Sequence, residues 1–229
     1  MLEKAAAEIQ EAGVLVFYTG VHSPLLEILQ VRLQEALRRI GHSCEVRFLG
    51  SSQRALAMAN DQGDGDLIRV PSIKELAPEL TANLLVIPES IIDTEFYVYT
   101  SGALMDVENF DSLQGLQNGF RVGIKILEKK VPSEQVILPD SERLLRMLDE
   151  NRLDTVIEHS YIADYLINKF HLTHIKKQNK PILSHAGFLL IHEKHKELVP
   201  QISSSLAEMK VDGTFEKLKE DVFKELMNK

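Results

Sequence analysis

The sequence predicts an α/β protein of two lobes, each a mixed β-sheet flanked by helices. Short apolar runs typical of buried strands alternate with helical stripes, this pattern occurs twice, and two amphipathic helices follow the second copy. The stretch 101–119 is polar and contains three glycines, which indicates a boundary between lobes. We therefore expect a discontinuous first lobe, 1–99 plus 190–229, and a second lobe at 100–189.

The first lobe begins with an apolar run at 14–18, as expected for a strand covered on both faces. A helix with apolar residues three and four positions apart follows and ends at Gly41. The next strand alternates, which predicts that Cys44, Val46 and Phe48 share a buried face. A helix and three further strands complete this part, with the strands at 67–70, 84–87 and 95–100.

The second lobe is expected to contain four strands and two helices. The strands are predicted at 121–125, 136–138, 154–158 and 172–177, and the helices at 141–153 and 160–170. A strand at 188–192 leads back to the first lobe. The two tail helices are separated at Asp212-Gly213, and their apolar stripes need a cover, which we expect the first lobe to provide.

Composition excludes some classes of function. The net charge of −8 and the pI near 5.5 argue against a surface for nucleic acid or anionic membranes. The single cysteine, Cys44, cannot form an internal disulfide, and we interpret it as core. The segment 1–13 lacks the apolar stretch of a signal peptide, and no run reaches the ~20 apolar residues of a membrane span. Either the protein is cytosolic, or an export signal or anchor lies outside this sequence.

No metal, cofactor or catalytic site is predicted. The run 61–66 has the acidic spacing of a calcium loop, but the position that needs a glutamate falls on Ser72. The histidine pairs lack the spacing of the zinc-protease helix. There is no nucleophile elbow, phosphate-cradling loop or paired-cysteine motif.

Three ordered motifs carry a resemblance to a known family. Asp111-Ser-Leu-Gln-Gly115, leading into Arg121-Val-Gly-Ile-Lys125, resembles the entry to the second lobe of the bacterial extracellular solute-binding proteins of family 3, the amino-acid type. Leu148-Asp-Glu-Asn-Arg-Leu-Asp154 is similar to that family's "L-x-x-G-R-x-D". The ending Leu206-Ala-Glu-Met-Lys-Val-Asp-Gly213-Thr-Phe resembles its "L-x-x-L-K-x-D-G-T" terminus.

The resemblance implies a periplasmic-binding-protein-like type II fold, with two lobes that close on a small solute. It implies periplasmic uptake of a polar, anionic or zwitterionic solute with an ABC-type transporter as partner, in a monomer without cofactor. The same fold also serves signalling receptors and a few enzymes similar to the cyclohexadienyl dehydratases. A sensor domain and such an enzyme, with Glu158 handling protons, are therefore the alternatives.

The resemblance also implies ligand-binding residues. An arginine after the third strand grips the ligand carboxylate in that family, and Arg69 lies near this position, either in that role or paired with Asp64 or Asp66. An aspartate that holds the ligand ammonium corresponds to His159 here. This departure puts an ordinary α-amino acid in doubt, unless the neighbouring Glu158 supplies the charge. If His159 contacts an anion, affinity should rise as the pH falls through its titration range, between 8 and 5.

Further candidates follow the predicted strands. The first loop contains Tyr18, His22 and Ser23 and should face the cleft, although Tyr18 fits the core equally well. Lys125 ends a predicted strand and either reaches the cleft or is solvated. Arg54 belongs to a helix that begins near 52, and nothing in the resemblance places it at the cleft.

Overall fold

The computed structural model describes residues 13–22, 24–122, 124–132 and 134–228, apart from the side chain of Lys125. The chain divides into two units. Unit 1 consists of Met1–Asp93 and Ala186–Lys229, and unit 2 of Thr94–His185. Two long strands, β4 (Leu84–Ser101) and β9 (Leu183–His192), each begin in one unit and end in the other.

Unit 1 has a sheet in which parallel strands are neighbours. Strand β1 (Leu15–Thr19) pairs in parallel with both β2 (Cys44–Phe48) and β3 (Gly65–Arg69), and β9 pairs antiparallel with β3. The other elements of unit 1 are α1 (Leu25–Arg39), α2 (Ser52–Asp61), α3 (Ile73–Leu76), α7 (Val199–Val211), α8 (Thr214–Met227) and 3-10 turns at Glu79–Thr81 and Glu193–Leu198.

The two C-terminal helices cover α1. The apolar stripe of α1 is buried, with Ile28, Leu29 and Leu33 fully inaccessible, and α1 packs against both α7 and α8. A buried arginine on the same helix joins these elements, since Arg32 donates from Nε and Nη2 to the carbonyl of Phe215 at 3.2 and 3.0 Å. Its Nη1 donates to the carbonyl of Ile91 at 3.1 Å. Unit 1 therefore depends on both ends of the described chain.

Unit 2 contains, besides parts of β4 and β9, the strands β5 (Asn118–Arg121), β6 (Gln135–Leu138), β7 (Thr155–His159) and β8 (Ile175–Lys177), the helices α4 (Lys125–Lys130), α5 (Ser141–Asp149) and α6 (Ser160–Phe170), and a 3-10 turn at Phe110–Leu113. Its mixed sheet has the order β4-β7-β5-β6, and β8 pairs with β4. Strand β5 runs parallel to β6 and β7, whereas β4 is antiparallel to β7.

Both faces of the unit 2 sheet are buried. Successive residues of a strand point to opposite faces, and Val156 and Ile157 belong to different apolar clusters. Val156 packs with the leucines of α5, such as Leu144, while Ile157 packs with Phe120 and Leu127. Strand β7 is consequently buried along its whole length, up to the polar residues at its end.

Three details of the sequence prediction are wrong. Strand β2 lies at the end of the sheet order, so the face expected to be buried is only partly covered, and Phe48 is 43% exposed. The runs 84–87 and 95–100 belong to one strand, β4, in which Pro88 is exposed. The strand expected at 121–125 ends at Arg121, because Val122 is 57% exposed and α4 begins at Lys125.

No helix in the described part of the chain is long and apolar enough to cross a membrane.

Candidate functional site

Polar side chains of unit 2 meet where its parallel strands end. Strand β5 ends at Arg121, β7 ends with Glu158 and His159, and Ser141 begins the helix that follows β6. The carboxyl ends of parallel strands share one edge of a sheet, and ligands of α/β proteins bind at that edge. This edge, formed by Arg121, Ser141, Glu158 and His159, is called the unit 2 edge.

Glu158 is the internal acceptor of the unit 2 edge. Its side chain is fully buried, and Oε2 accepts from Arg121 Nε at 3.0 Å and from Ser141 Oγ at 2.5 Å. Its Oε1 accepts from the backbone N–H of His159 at 2.7 Å. The carboxylate thus balances the charge of Arg121, whose side chain is 29% exposed, and fixes the direction of the guanidinium.

His159 is held as a neutral side chain. It caps α6, because its Nδ1 accepts from the backbone N–H of Tyr161 at 3.2 Å. Burial, with the nearby charges of Arg121, His185 and Lys177, lowers the pKa of His159 to about 3. In the free chain this gives no change of its charge between pH 8 and 5, so the pH dependence of affinity expected from the sequence is not supported by the lowered pKa.

Aromatic rings surround the imidazole of His159, which is 3% exposed. The ring of Phe96 meets it edge-on at 5.4 Å, and the ring of Tyr161 stacks on it at 5.1 Å. The imidazole of His185 stacks in turn on the ring of Phe96, with the two ring centres 5.9 Å apart. The Nε2 atom is buried and has no hydrogen-bond partner among the described residues.

In unit 1, Arg69 ends β3 and is largely used internally. Its Nη2 donates to Asp66 Oδ2 at 2.6 Å and to the carbonyl of Ser52 at 2.5 Å, and its Nη1 donates to the carbonyl of Ile68 at 2.7 Å. Burial lowers the pKa of Arg69 and raises the pKa of Asp66 to about 7. The pairing with Asp66 is the structural role that the sequence left open for Arg69.

The first-loop candidates lie in different surroundings. Tyr18 is buried in an apolar cluster with Leu56 and Leu190, and a side chain at Gly63 would come within 2.6 Å of its ring. His22 is exposed, with its ring 4.7 Å from that of Phe48. Of these two residues, His22 is the one with an exposed side chain.

Few side-chain contacts are described for the remaining candidates, Arg54, Ser23 and Lys125. Arg54 is exposed on α2, where its backbone N–H donates to Ser51 Oγ at 3.4 Å. Ser23 lies outside the described residues, and so does the side chain of Lys125, although its backbone begins α4.

Metal-binding clusters and cavities among the described residues indicate no further ligand site. These residues contain no group of three or more histidine, cysteine or acidic side chains that could hold a metal ion. A cavity of about 220 Å³ in unit 1 is lined by residues such as Leu15, Asp64 and His195. Leu15 begins β1 and Asp64 precedes β3, so this cavity lies at the amino ends of the parallel strands.

Comparison with solved structures reveals the fold. An amino acid ABC transporter substrate-binding protein, AbpA of Streptococcus pneumoniae, bound to L-arginine, aligns with a TM-score of 0.68 and 15% identity, over 98% of this chain and 100% of its own. An ancestral cationic amino acid solute binding protein aligns with a TM-score of 0.70 and 14% identity, over 96% and 99%. The chain has the type II periplasmic-binding-protein fold.

A histidine kinase sensor domain with similarity to periplasmic binding proteins also has this fold, with a TM-score of 0.68 and 15% identity, over 93% of this chain and 96% of its own. No protein-family model matches the sequence. No curated protein matches it either. The resemblance to family 3 solute-binding proteins is thus confirmed at the level of fold, for a divergent sequence.

Within this periplasmic-binding-protein fold, sequence reasoning missed parts of the unit 2 edge. The sequence predicts Arg121 to begin a strand, although it is the last residue of β5. For Ser141 the sequence predicts only the start of a helix, α5. Phe96 and His185 lie on β4 and β9, far apart in sequence, and no local pattern indicates that their rings stack.

Proposed function

We propose that the chain binds a small polar solute, anionic or zwitterionic, and delivers it for ABC-type uptake in the periplasm. The observation that carries this proposal is the unit 2 edge. It combines a guanidinium oriented by a buried carboxylate with a buried histidine nitrogen that has no partner among the residues that the structure describes. Buried polar groups are normally paired, and an unpaired one at the ligand edge of this fold is a candidate ligand contact.

Arg69 is proposed as the contact from unit 1. Its guanidinium ends β3 and suits a carboxylate, but a solute would share it with Asp66. His22 and Arg54 are exposed and stay in the proposal as weaker contacts. The buried environment of Tyr18 favours its role in the core instead.

A sensor role is the second proposal. The similarity to the histidine kinase sensor domain is as high as that to the arginine-bound transporter protein, and it supports signalling as much as uptake. The structural neighbours are binding proteins, and the buried, hydrogen-bonded Glu158 gives no support to the enzyme alternative that uses it for proton transfer.

Calorimetric titration of the full chain with a panel of amino acids, organic acids and small anions tests solute binding. We expect saturable binding of at least one compound, weakened by Arg121→Ala. Exchange of Arg38, which is 71% exposed on α1, for alanine is the matched control and should leave affinity unchanged. Absence of binding across the panel would contradict the proposed function.

A further inference from the structure

Hydrogen-bond donors and acceptors at the unit 2 edge are unequally used. Both oxygens of Glu158 already accept, from Arg121, Ser141 and the backbone of His159. The His159 Nε2 atom, in contrast, contacts no partner among the described residues. The edge consequently has a buried hydrogen to donate, while its one buried carboxylate is occupied.

The contact at the other ring nitrogen decides which nitrogen of His159 carries the proton. Nδ1 accepts from the backbone N–H of Tyr161, so in the neutral ring the hydrogen is on Nε2. The covering rings of Phe96 and Tyr161 provide a low-dielectric surrounding. In such surroundings a buried donor without a partner costs free energy, and a hydrogen bond that it forms is stronger than in water.

We propose that the solute presents an oxygen acceptor, a carboxylate or carbonyl, to His159 Nε2–H, and is an organic acid that carries no ammonium group. The inference rests on the proposed function and narrows it, because a zwitterionic α-amino acid is excluded.

The charges near His159 argue in the same direction. Arg121, Lys177 and His185 are the groups of positive or potentially positive charge that act on it. Arg121 already pairs with Glu158, which is fully covered, and Lys177 pairs with Asp164 at 2.7 Å. A bound ammonium would lose its water without gaining an unpaired counter-charge from these groups, whereas a carboxylate oxygen would gain the Nε2 donor.

Access to Nε2 requires a side chain to turn, because the atom is buried. Phe96 is buried in the apolar core of unit 2, while Tyr161 is half-buried and stacks on the imidazole. We expect Tyr161 to turn when the solute enters. The chain has five tyrosines and no tryptophan, so we expect solute binding to change the tyrosine fluorescence and Tyr161→Phe to reduce that change.

Matched pairs of probes test the inference with the full chain. Each amino acid is titrated beside the acid that lacks its amine: glutamate with glutarate, aspartate with succinate, and phenylalanine with 3-phenylpropionate. In at least one pair, the acid should bind more tightly than the amino acid by about tenfold or more, because the amino acid must also desolvate an ammonium group that finds no counter-charge.

Two variants at the same position separate the donor from the helix cap. Asparagine and aspartate have the same shape and both cap helices well, but only asparagine offers a donor. His159→Asn should keep the preference for the acid, whereas His159→Asp should weaken acid binding by about 100-fold through like-charge repulsion. His171→Asp, at an exposed left-handed position of unit 2, controls for the added charge.

The outcomes are distinct. If no acid binds more tightly than its matched amino acid while at least one probe binds, this inference is overturned and the proposed function stands. Equal weakening by the asparagine and aspartate variants, with thermal melts showing both folded, overturns the role of the Nε2 donor. No binding of any probe contradicts both proposals together.

Discussion

The buried arginine of α1 offers the most direct test of how unit 1 is stabilised. Arg32 is fully inaccessible, donates to the carbonyls of Phe215 and Ile91, and lies 3.5 Å from the centre of the Phe215 ring. Methionine keeps the apolar stem and removes the donors. Two buried carbonyls then lose these bonds, at about 1–3 kcal/mol each.

Packing of the methionine side chain offsets part of this cost, so we expect Arg32→Met to lower the free energy of unfolding by about 2–4 kcal/mol. Urea denaturation followed by circular dichroism measures the change. Arg38→Met removes an arginine from the same helix, where it is 71% exposed and pairs with Glu35, and should hardly move the midpoint. A loss below about 1 kcal/mol for Arg32→Met would refute this explanation.

Three further predictions follow from burial. Burial lowers the pKa of His159 from its ordinary 6.5 to about 3, so below pH 6.5 the unfolded chain binds a proton that the folded chain does not, and stability falls with the pH. His159→Asn should remove about 2 kcal/mol of the loss of stability between pH 7 and 5, as measured by denaturation curves. An equal loss in the variant and the unchanged chain would contradict this. Gly63→Ala should cost about 1–3 kcal/mol by a clash with the buried Tyr18 ring, whereas Gly13→Ala, with open space around it, should not. Burial raises the pKa of Cys44 to about 11, so at pH 8 its thiol should react with Ellman's reagent about 100-fold more slowly than free cysteine. After denaturation it should react at the rate of free cysteine.

The order of strands and helices was largely predictable because each element has its own apolar period. Helix α6, for instance, runs over Ser160–Phe170 as its pattern predicts, and the break between the tail helices falls at Asp212-Gly213. Ends of strands were less predictable. Val122 and Ile124 alternate like strand residues, yet β5 ends at Arg121 and Val122 is exposed.

The unit 2 edge shows why local patterns cannot assign a site. Glu158 and His159 were identified by their position, but the occupied state of the Glu158 carboxylate depends on Arg121 and Ser141, which lie 37 and 17 residues away. The neutral state of His159 likewise depends on rings from other elements, such as Phe96. These contacts form because strands distant in the sequence pair with one another, and the residues around a single position do not reveal that pairing.

The hydrogen bonds from Arg32 to the carbonyl of Phe215 join an early helix to the tail of the chain, and this has a consequence for biosynthesis. Unit 2 is continuous, from Thr94 to His185, so all of its strands are available to it while the ribosome is still adding the tail. The part of the apolar surface of α1 that α7 and α8 cover is made long before and stays exposed until these two helices emerge. The nascent polypeptide thus completes its middle first and its beginning last.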